Sequence, residues 1–278
     1  VSTQDSDRTI GPAKLVLVRH GETEGNVAKL LDTQVPGLPL TERGAAQAKT
    51  FGETLLTPPR VLFCSAALRA RQTAGYIEAA TGVPATVLDN LQEVQAGDLE
   101  GLHSEEAHLF FQRIYRAWHE GDLDERIPGG ESGNDILARF FPVIEDLRER
   151  YLSGSSEGDV VLVNHGAAMR LVSRYLADVR PPFTTNNHLD NTETIELVPL
   201  PDGGWSCIRW GRYTPPFGYD VSPTPTTRWA DPRTNPPPAQ GFLVPRRPGG
   251  LTRAHEFTSR APFRIPRAKS PTIPCAAS

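Results

Sequence analysis

Apolar residues fall along this chain in two alternating patterns. Short continuous apolar runs end in turn signals, and between them lie stretches whose apolar positions recur every three or four residues. AKLVLVRH (13–20), RVLFCS (60–65) and DVVLVNHG (159–166) are runs of the first kind and predict buried strands. ATVLDNLQEV (85–94) contains a third strand in chain order, closed by Glu93, and NTETIELVPL (191–200) alternates as a late strand, with WSCIRWGRY (205–213) as a candidate sixth. Helical periods fill the gaps. TERGAAQAKTFGETLL (41–56) has Thr41 as N-cap, and AALRARQTAGYIEAATG (66–82) is stopped by Gly82. SEEAHLFFQRIYRAWHEG (104–121) is amphipathic with two acids in its first turn. ESGNDILARFFPVIEDLRERYL (131–152) is a longer helix, kinked or started late by Pro142, and AAMRLVSRYLADV (167–179) follows the fourth strand. GNVAKLLDTQVPGLPL (25–40), with its two prolines, reads as an irregular loop. This alternation predicts an α/β fold: a three-layer α/β/α sandwich with a mostly parallel central sheet.

The pattern stops near residue 215, which predicts three parts: a flexible segment at 1–13, a folded domain over 14–214 and a tail over 215–278. The tail holds 14 of the 26 prolines and nine Lys/Arg against three Asp/Glu, so it carries +6 while the rest carries −10. It reads as extended or disordered. A polyproline-type ligand, a basic tether, a plain solvated tail and coding sequence read past a natural stop all suit that composition. The acidic body argues against nucleic-acid binding, although a pocket on it can still be locally positive. No apolar run reaches membrane-span length, and the first residues lack the apolar stretch of a secretory signal. Val1 reads as a translated alternative start codon. Cys64, Cys207 and Cys275 have no paired spacing, so neither a disulfide framework nor a zinc site is expected. The expected setting is therefore reducing and cytoplasmic.

Two of the buried runs end in His-Gly, at His20 and His165, 145 residues apart. In parallel sheets ligands sit at the carboxyl ends of strands, so topology alone can bring both to one crevice. Histidines at strand ends are more often structural than catalytic, but their neighbours here are suggestive. Arg19 supplies a planar fork of donors suited to phosphate or carboxylate, and Gly21 permits close backbone approach. Nearby cations keep an imidazole nitrogen unprotonated. Arg69 lies near a helix start, where anions are favoured, and only one of Arg69 and Arg71 can face the crevice. Among Glu93, Asp98 and Glu100, a carboxylate held near an anion could serve as general acid. Each of these residues alone also fits an ordinary structural or solvated role.

In combination the motifs resemble those of the histidine phosphatase superfamily, in its phosphoglycerate-mutase-like branch. LVRHGETEGN (17–26), CSAALRARQTA (64–74), LQEVQAGDLEG (91–101), PGGES (128–132) and VNHGAAMR (163–170) are similar to that branch's motifs and stand in its order. The resemblance implies that His20 is the nucleophile that becomes phosphohistidine. It implies that Arg19, Arg69 and His165 bind the phosphoryl oxygens, with Gly21 and a hydrogen bond from Asn26. Glu93 would protonate the leaving oxygen and then help activate water. No metal or cofactor is implied, and the expected partner is a small phosphorylated substrate, not a membrane or a nucleic acid. Oligomeric state is left open. The chain departs from the pattern at Gly25, where an aromatic is common, at Ala66, where a proline is common, and at Leu99. Its loop over 27–39 is slightly long, leaving Thr33 and Gln34 as candidate phosphate contacts only.

GDLEGLHSEEAHLFF (97–111) runs straight into a helix, without the insertion found in the mutases of the family. That favours phosphomonoester hydrolysis on a small phosphorylated metabolite, with a 2,3-bisphosphoglycerate-dependent phosphoglycerate mutase as the alternative. An inactive relative acting as a binding module is a third reading; retention of His20, Arg69, Glu93 and His165 argues against it. Substrate identity is expected in residues 103–135, where Arg113, Arg116 and His119 could read a second acidic group. Phe110, Phe111, Ile114 and Trp118 are expected to pack that helix onto the body.

Overall fold

The apolar runs become five- or six-residue strands: β1 (Leu15–Arg19), β2 (Val61–Ser65), β4 (Val160–Asn164), β5 (Thr194–Pro199) and β6 (Trp205–Trp210), with a shorter β3 (Ala85–Leu88). In this computed structural model, which describes residues 12–153 and 158–217, they form one sheet in the order β3-β2-β4-β1-β5-β6. The first four in that order are parallel to one another, β5 is antiparallel to β1, and β6 is antiparallel to β5. The helices are α1 (Glu24–Ala28), α2 (Glu42–Thr54), α3 (Leu68–Thr81), α4 (Glu105–Glu120), α5 (Gly133–Leu147), α6 (Gly166–Leu176) and α7 (Phe183–Asn186). None is long and apolar enough to cross a membrane.

Alternate strand residues point to opposite faces, and both faces are buried. Val16, Val18, Leu62, Cys64, Val161 and Val163 pack with Ala70, Ala74 and Ile77 of α3. Leu15, Leu17, Phe63, Val160 and Leu162 belong to the larger cluster on the other face, with Ile114 and Trp118 of α4, Phe140 and Ile144 of α5 and Leu171 of α6. Three layers follow, as the alternation predicts. The antiparallel β5–β6 pair closes the large cluster with Trp205 and Trp210, both buried.

The structure differs from the sequence reading in several places. The stretch expected to be irregular opens with α1, a short helix held by a reciprocal cap between Thr23 and Asn26. Pro142 neither starts nor ends α5, which begins at Gly133 behind a Ser132 cap and carries the proline inside. An interior proline costs about 3 kcal/mol. Burial of Ile136, Phe140, Ile144 and Leu147 offsets it, at roughly 1.5–3 kcal/mol for each side chain. β3 ends at Leu88, so Glu93 lies in the following loop and closes no strand. Of the expected tail, residues 215–217 are described, and the Phe217 ring packs on Phe183 at 4.8 Å. The remainder of the proposed tail, from 218, and residues 1–11 of the proposed flexible segment lie outside the described residues.

Candidate active site

In-register pairing of β1 with β4 sets Arg19 opposite Asn164. The next residues, His20 and His165, therefore leave the sheet at the same level. The His20 amide donates to the Asn164 carbonyl (3.0 Å), and the two imidazole centroids lie 5.4 Å apart, edge to face. The cavity above them is lined by Arg19, His20, Asn26, Arg69 and Glu93 among the expected residues.

His20 is 4% exposed. Its Nδ1 lies 2.8 Å from the Gly21 carbonyl, which accepts only, so Nδ1 carries the proton and Nε2 keeps a lone pair. Burial holds the His20 pKa well below the usual 6.5, and the charges of Arg69 and then Arg19 add to that; the Gly21 carbonyl opposes them. A neutral imidazole with one free nitrogen is a nucleophile ready at neutral pH.

Arg69, 2% exposed, enters from the first turn of α3. Its Nε donates to His165 Nδ1 (3.3 Å), and its Nη1 faces Asp32 (3.4 Å). Gly37, at φ +70°, lies so close to this guanidinium that a Cβ there would collide with Nη1. Arg71, two residues on, is exposed, as the spacing demands. Arg19 donates from Nη1 to the Leu189 carbonyl (2.5 Å), while its buried Nε has no hydrogen-bond partner among the described residues. Asn26 Oδ1 accepts from the Thr23 amide and from Asn191 Nδ2, both at 3.2 Å, which leaves its Nδ2 to donate.

Glu93 occupies the start of α6. Its carboxylate accepts from the amides of Ala167 (3.0 Å) and Ala168 (2.8 Å), and from its neighbour Val94 (2.8 Å). A helix N-terminus favours an anion, so α6 fixes this carboxylate in the cavity wall.

Two expected phosphate contacts are placed differently. His165 is fully buried and outside the cavity wall. Its Nδ1 accepts from Arg69, which leaves Nε2 protonated and donating to Ser65 Oγ at 2.9 Å. Burial, then the charges of Arg69, His20, Arg139 and Arg19, keeps its pKa far below 6.5. These contacts tie the ring to Arg69 and Ser65. The Gly21 amide is taken by Thr73 Oγ1 (3.0 Å), and a Cβ on Gly21 would strike the Gly44 carbonyl. Gly21 thus lets the loop pass close to α2. Thr33 reaches the cavity, but its hydroxyl donates to Glu100 (2.5 Å); Gln34 is absent from the wall.

The residues expected to read a second acidic group are elsewhere. His119 is fully buried, with Nδ1 on Thr184 Oγ1 (2.9 Å), and Arg113 pairs with Glu125. Arg116 is exposed and does not line the cavity. From 103–135 only Phe111, expected to pack inward, reaches the wall. The wall also includes Leu30, Leu31, Asp32, Arg170, His188 and Leu189, which sequence reasoning missed. Arg170 had a legible signal, since it stands one helical turn after Gly166. Asn191, whose Nδ2 also bonds the His20 carbonyl (2.9 Å), had none.

With this geometry in place, likeness to known proteins takes on meaning. The profile of the histidine phosphatase superfamily (branch 1) matches residues 15–212. The chain is 36% identical to an adenosylcobalamin/α-ribazole phosphatase of Salmonella typhimurium over 59% of this chain and 79% of that one. It is 35% identical to a 2,3-bisphosphoglycerate-dependent phosphoglycerate mutase of Methylobacterium radiotolerans, over 56% of this chain and 75% of that one. A mycobacterial glucosyl-3-phosphoglycerate phosphatase solved with VO3 superposes with a TM-score of 0.62 at 28% identity, covering 72% of this chain and 98% of that chain. The chain spans only 38% of the length of a longer relative, the Mycobacterium tuberculosis PE-PGRS family protein PE_PGRS11, at 29% identity.

Proposed function

The chain belongs to the histidine phosphatase superfamily, and from that premise we propose that it hydrolyses small phosphomonoesters through a phosphohistidine on His20. The observation that carries this reading is the His20 tautomer. Its Nδ1–H is tied to the Gly21 carbonyl, and Nε2, without a protein partner among the described residues, belongs to a cavity walled by Arg19, Arg69 and Glu93.

His20 Nε2 attacks phosphorus and the ester P–O bond breaks. The leaving oxygen takes its proton from Glu93. Water then attacks the phosphohistidine, gives a proton to Glu93, and displaces His20 as inorganic phosphate leaves. Arg19 and Arg69 hold the phosphoryl oxygens and stabilise their charge in the transition state, with Asn26 Nδ2 as a further donor. These fixed cations supply the electrostatic role that a metal fills in other phosphatases, so activity should survive a chelator.

Likeness to a mutase keeps exchange of the phosphoryl group between two substrate oxygens as the alternative. Hydrolysis is favoured because α4 begins at Glu105, directly after the loop that carries Glu100, and of residues 103–135 only Phe111 reaches the cavity. Among the described residues this segment thus gives a phosphohistidine little cover against water, and a mutase needs such cover.

The test is phosphate release from sugar phosphates, phosphoglycerates, a nucleotide and an aryl phosphate, with chelator throughout, for wild type and His20→Ala. Release that is lost in His20→Ala supports the reading. Equal release by both proteins sinks it. No release from any ester, with interconversion of 3- and 2-phosphoglycerate once bisphosphoglycerate is added, moves the assignment to mutase.

A further inference from the structure

The cavity wall contains a third guanidinium, that of Arg170, for which the chemistry at His20 has no role. Arg69 has Asp32 as a partner, but Arg170, 6% exposed, makes no ion pair among the described residues. Side chains on a helix tilt toward its N-terminus, so Arg170 reaches back one turn of α6. Its Nε donates to the Gly166 carbonyl (3.1 Å) and its Nη1 to the Thr184 carbonyl (3.3 Å). The guanidinium lies over the Tyr115 ring, 4.9 Å from its centroid. The Tyr115 hydroxyl is itself held on the Ala167 carbonyl (2.8 Å). Nη2 alone has no hydrogen-bond partner among the described residues. Arg170 is thus held rigidly on every side but one, in the wall that also contains His188 and Leu189.

Burying a guanidinium is expensive unless an anion compensates it, and two carbonyl dipoles and a ring face replace only part of its hydration. The neighbouring cation Arg19 aggravates the imbalance, since the two guanidinium groups repel. His188 stands at the exposed rim, where the Arg170 charge first, then burial and the Arg19 charge, favours its neutral form. A neutral imidazole beside a preset guanidinium can donate a hydrogen bond to the same anion. Leu30, Leu31 and Phe111 supply apolar wall for a carbon skeleton.

We propose that Arg170 and His188 form a second anion subsite, and that the favoured substrate is a phosphomonoester bearing a further acidic group, a carboxylate or a second phosphate. This rests on the phosphatase reading above and deepens it. The reader of a second charge lies on α6, not on α4 where the sequence suggested it.

The test compares three esters: glycerol 3-phosphate, 3-phosphoglycerate, in which a carboxylate replaces the hydroxymethyl group, and 1,3-propanediol bisphosphate. kcat/KM is measured for wild type, Arg170→Gln, Arg170→Lys and the rim variant His188→Gln. The wild type should prefer one or both acid-bearing esters, and which one names the second group. In Arg170→Gln the ratio of acid-bearing to glycerol ester should fall roughly 10- to 100-fold, the worth of a charged hydrogen bond. Arg170→Lys should recover part of it, and His188→Gln, which leaves the packing of Arg170 intact, should lose a smaller part. A parallel fall for all three esters would assign Arg170 to the transferred phosphoryl group and overturn the proposal. So would an unchanged ratio in both Arg170→Gln and His188→Gln. If the wild type turns over none of them, the phosphatase reading fails only when the wider panel above is inert as well. Calorimetric binding of the same three compounds to the same proteins then decides the subsite by the same ratios.

Discussion

Glu93 serves the fold and the chemistry with one carboxylate. Three backbone amides hold it, two of them at the start of α6, and a carboxylate retains acceptor sites beyond those bonds. Glu93→Gln keeps an amide oxygen for the helix start but removes the exchangeable acidic proton. Esters with poor leaving groups should slow by about 10²–10⁴-fold, and good aryl leaving groups by much less, since general acid catalysis matters least where the leaving oxygen needs no proton. Steady-state rates on an alkyl and an aryl phosphate check this; equal slowing would remove Glu93 from the role of acid. Residue types were legible at this scale and orientations were not. Arg69 and Glu93 stood out through their motifs, whereas the union of His165 with Ser65 and of Asn191 with the His20 carbonyl joins residues 100 and 171 positions apart.

Elements depend on close approach as much as on apolar period. Gly52 in α2 faces α3, where a Cβ would come within 2.9 Å of Ala80 Cβ and 3.1 Å of Ile77 Cα. Two effects of Gly52→Ala oppose each other. Helix propensity should gain about 1 kcal/mol, while overpacking a closed interface typically costs 1–3 kcal/mol. Overpacking should win, because backbone as well as a methyl group blocks the site. Urea unfolding should therefore show a lower midpoint for Gly52→Ala; a higher one would mean that the two helices separate freely. Local patterns located α2, α3 and α4, with the caps of the first two at Thr41 and Gly82. They missed α1 because its five residues are too few to show a period; caps at Thr23 and Lys29 hold it. Of the two effects expected of Pro142, the late start is excluded, since α5 already begins at Gly133 behind the Ser132 cap.

Across the whole molecule, three buried histidines link folding to pH. His20 and His165 are held well below 6.5, and burial pushes His119 down to about 2. His188 is left out of this reckoning because solvent at the rim screens it. Each buried histidine stays neutral when folded but takes up a proton when unfolded below about pH 6.5. The unfolded state then binds more protons, so the stabilisation is complete above pH 6.5 and is lost as pH falls below it. Each group contributes about 1.4 kcal/mol per pH unit there, and the three together roughly 4 kcal/mol per unit near pH 5. Urea midpoints at several pH values should show this decline. His119→Gln should make it shallower by about a third, with carboxylate effects common to both proteins. Identical slopes would mean that His119 is protonated in the folded protein.

The sequence by itself determined the layered α/β fold, because runs that are apolar at every position are stable only as strands covered on both faces, and runs with a period of three to four only as helices covering them. It also pointed to the candidate nucleophile, cations and acid, because five ordered motifs resemble those of the histidine phosphatase superfamily. Tertiary structure alone decided which of them face the cavity. The β1–β4 register brings His20 and His165 together, but the ring of His165 is turned to Arg69 and Ser65 by contacts that no local pattern records. It also decided that Arg170, and not Arg113, Arg116 or His119, enters the wall, since which side of a helix meets a cavity depends on what packs against the others.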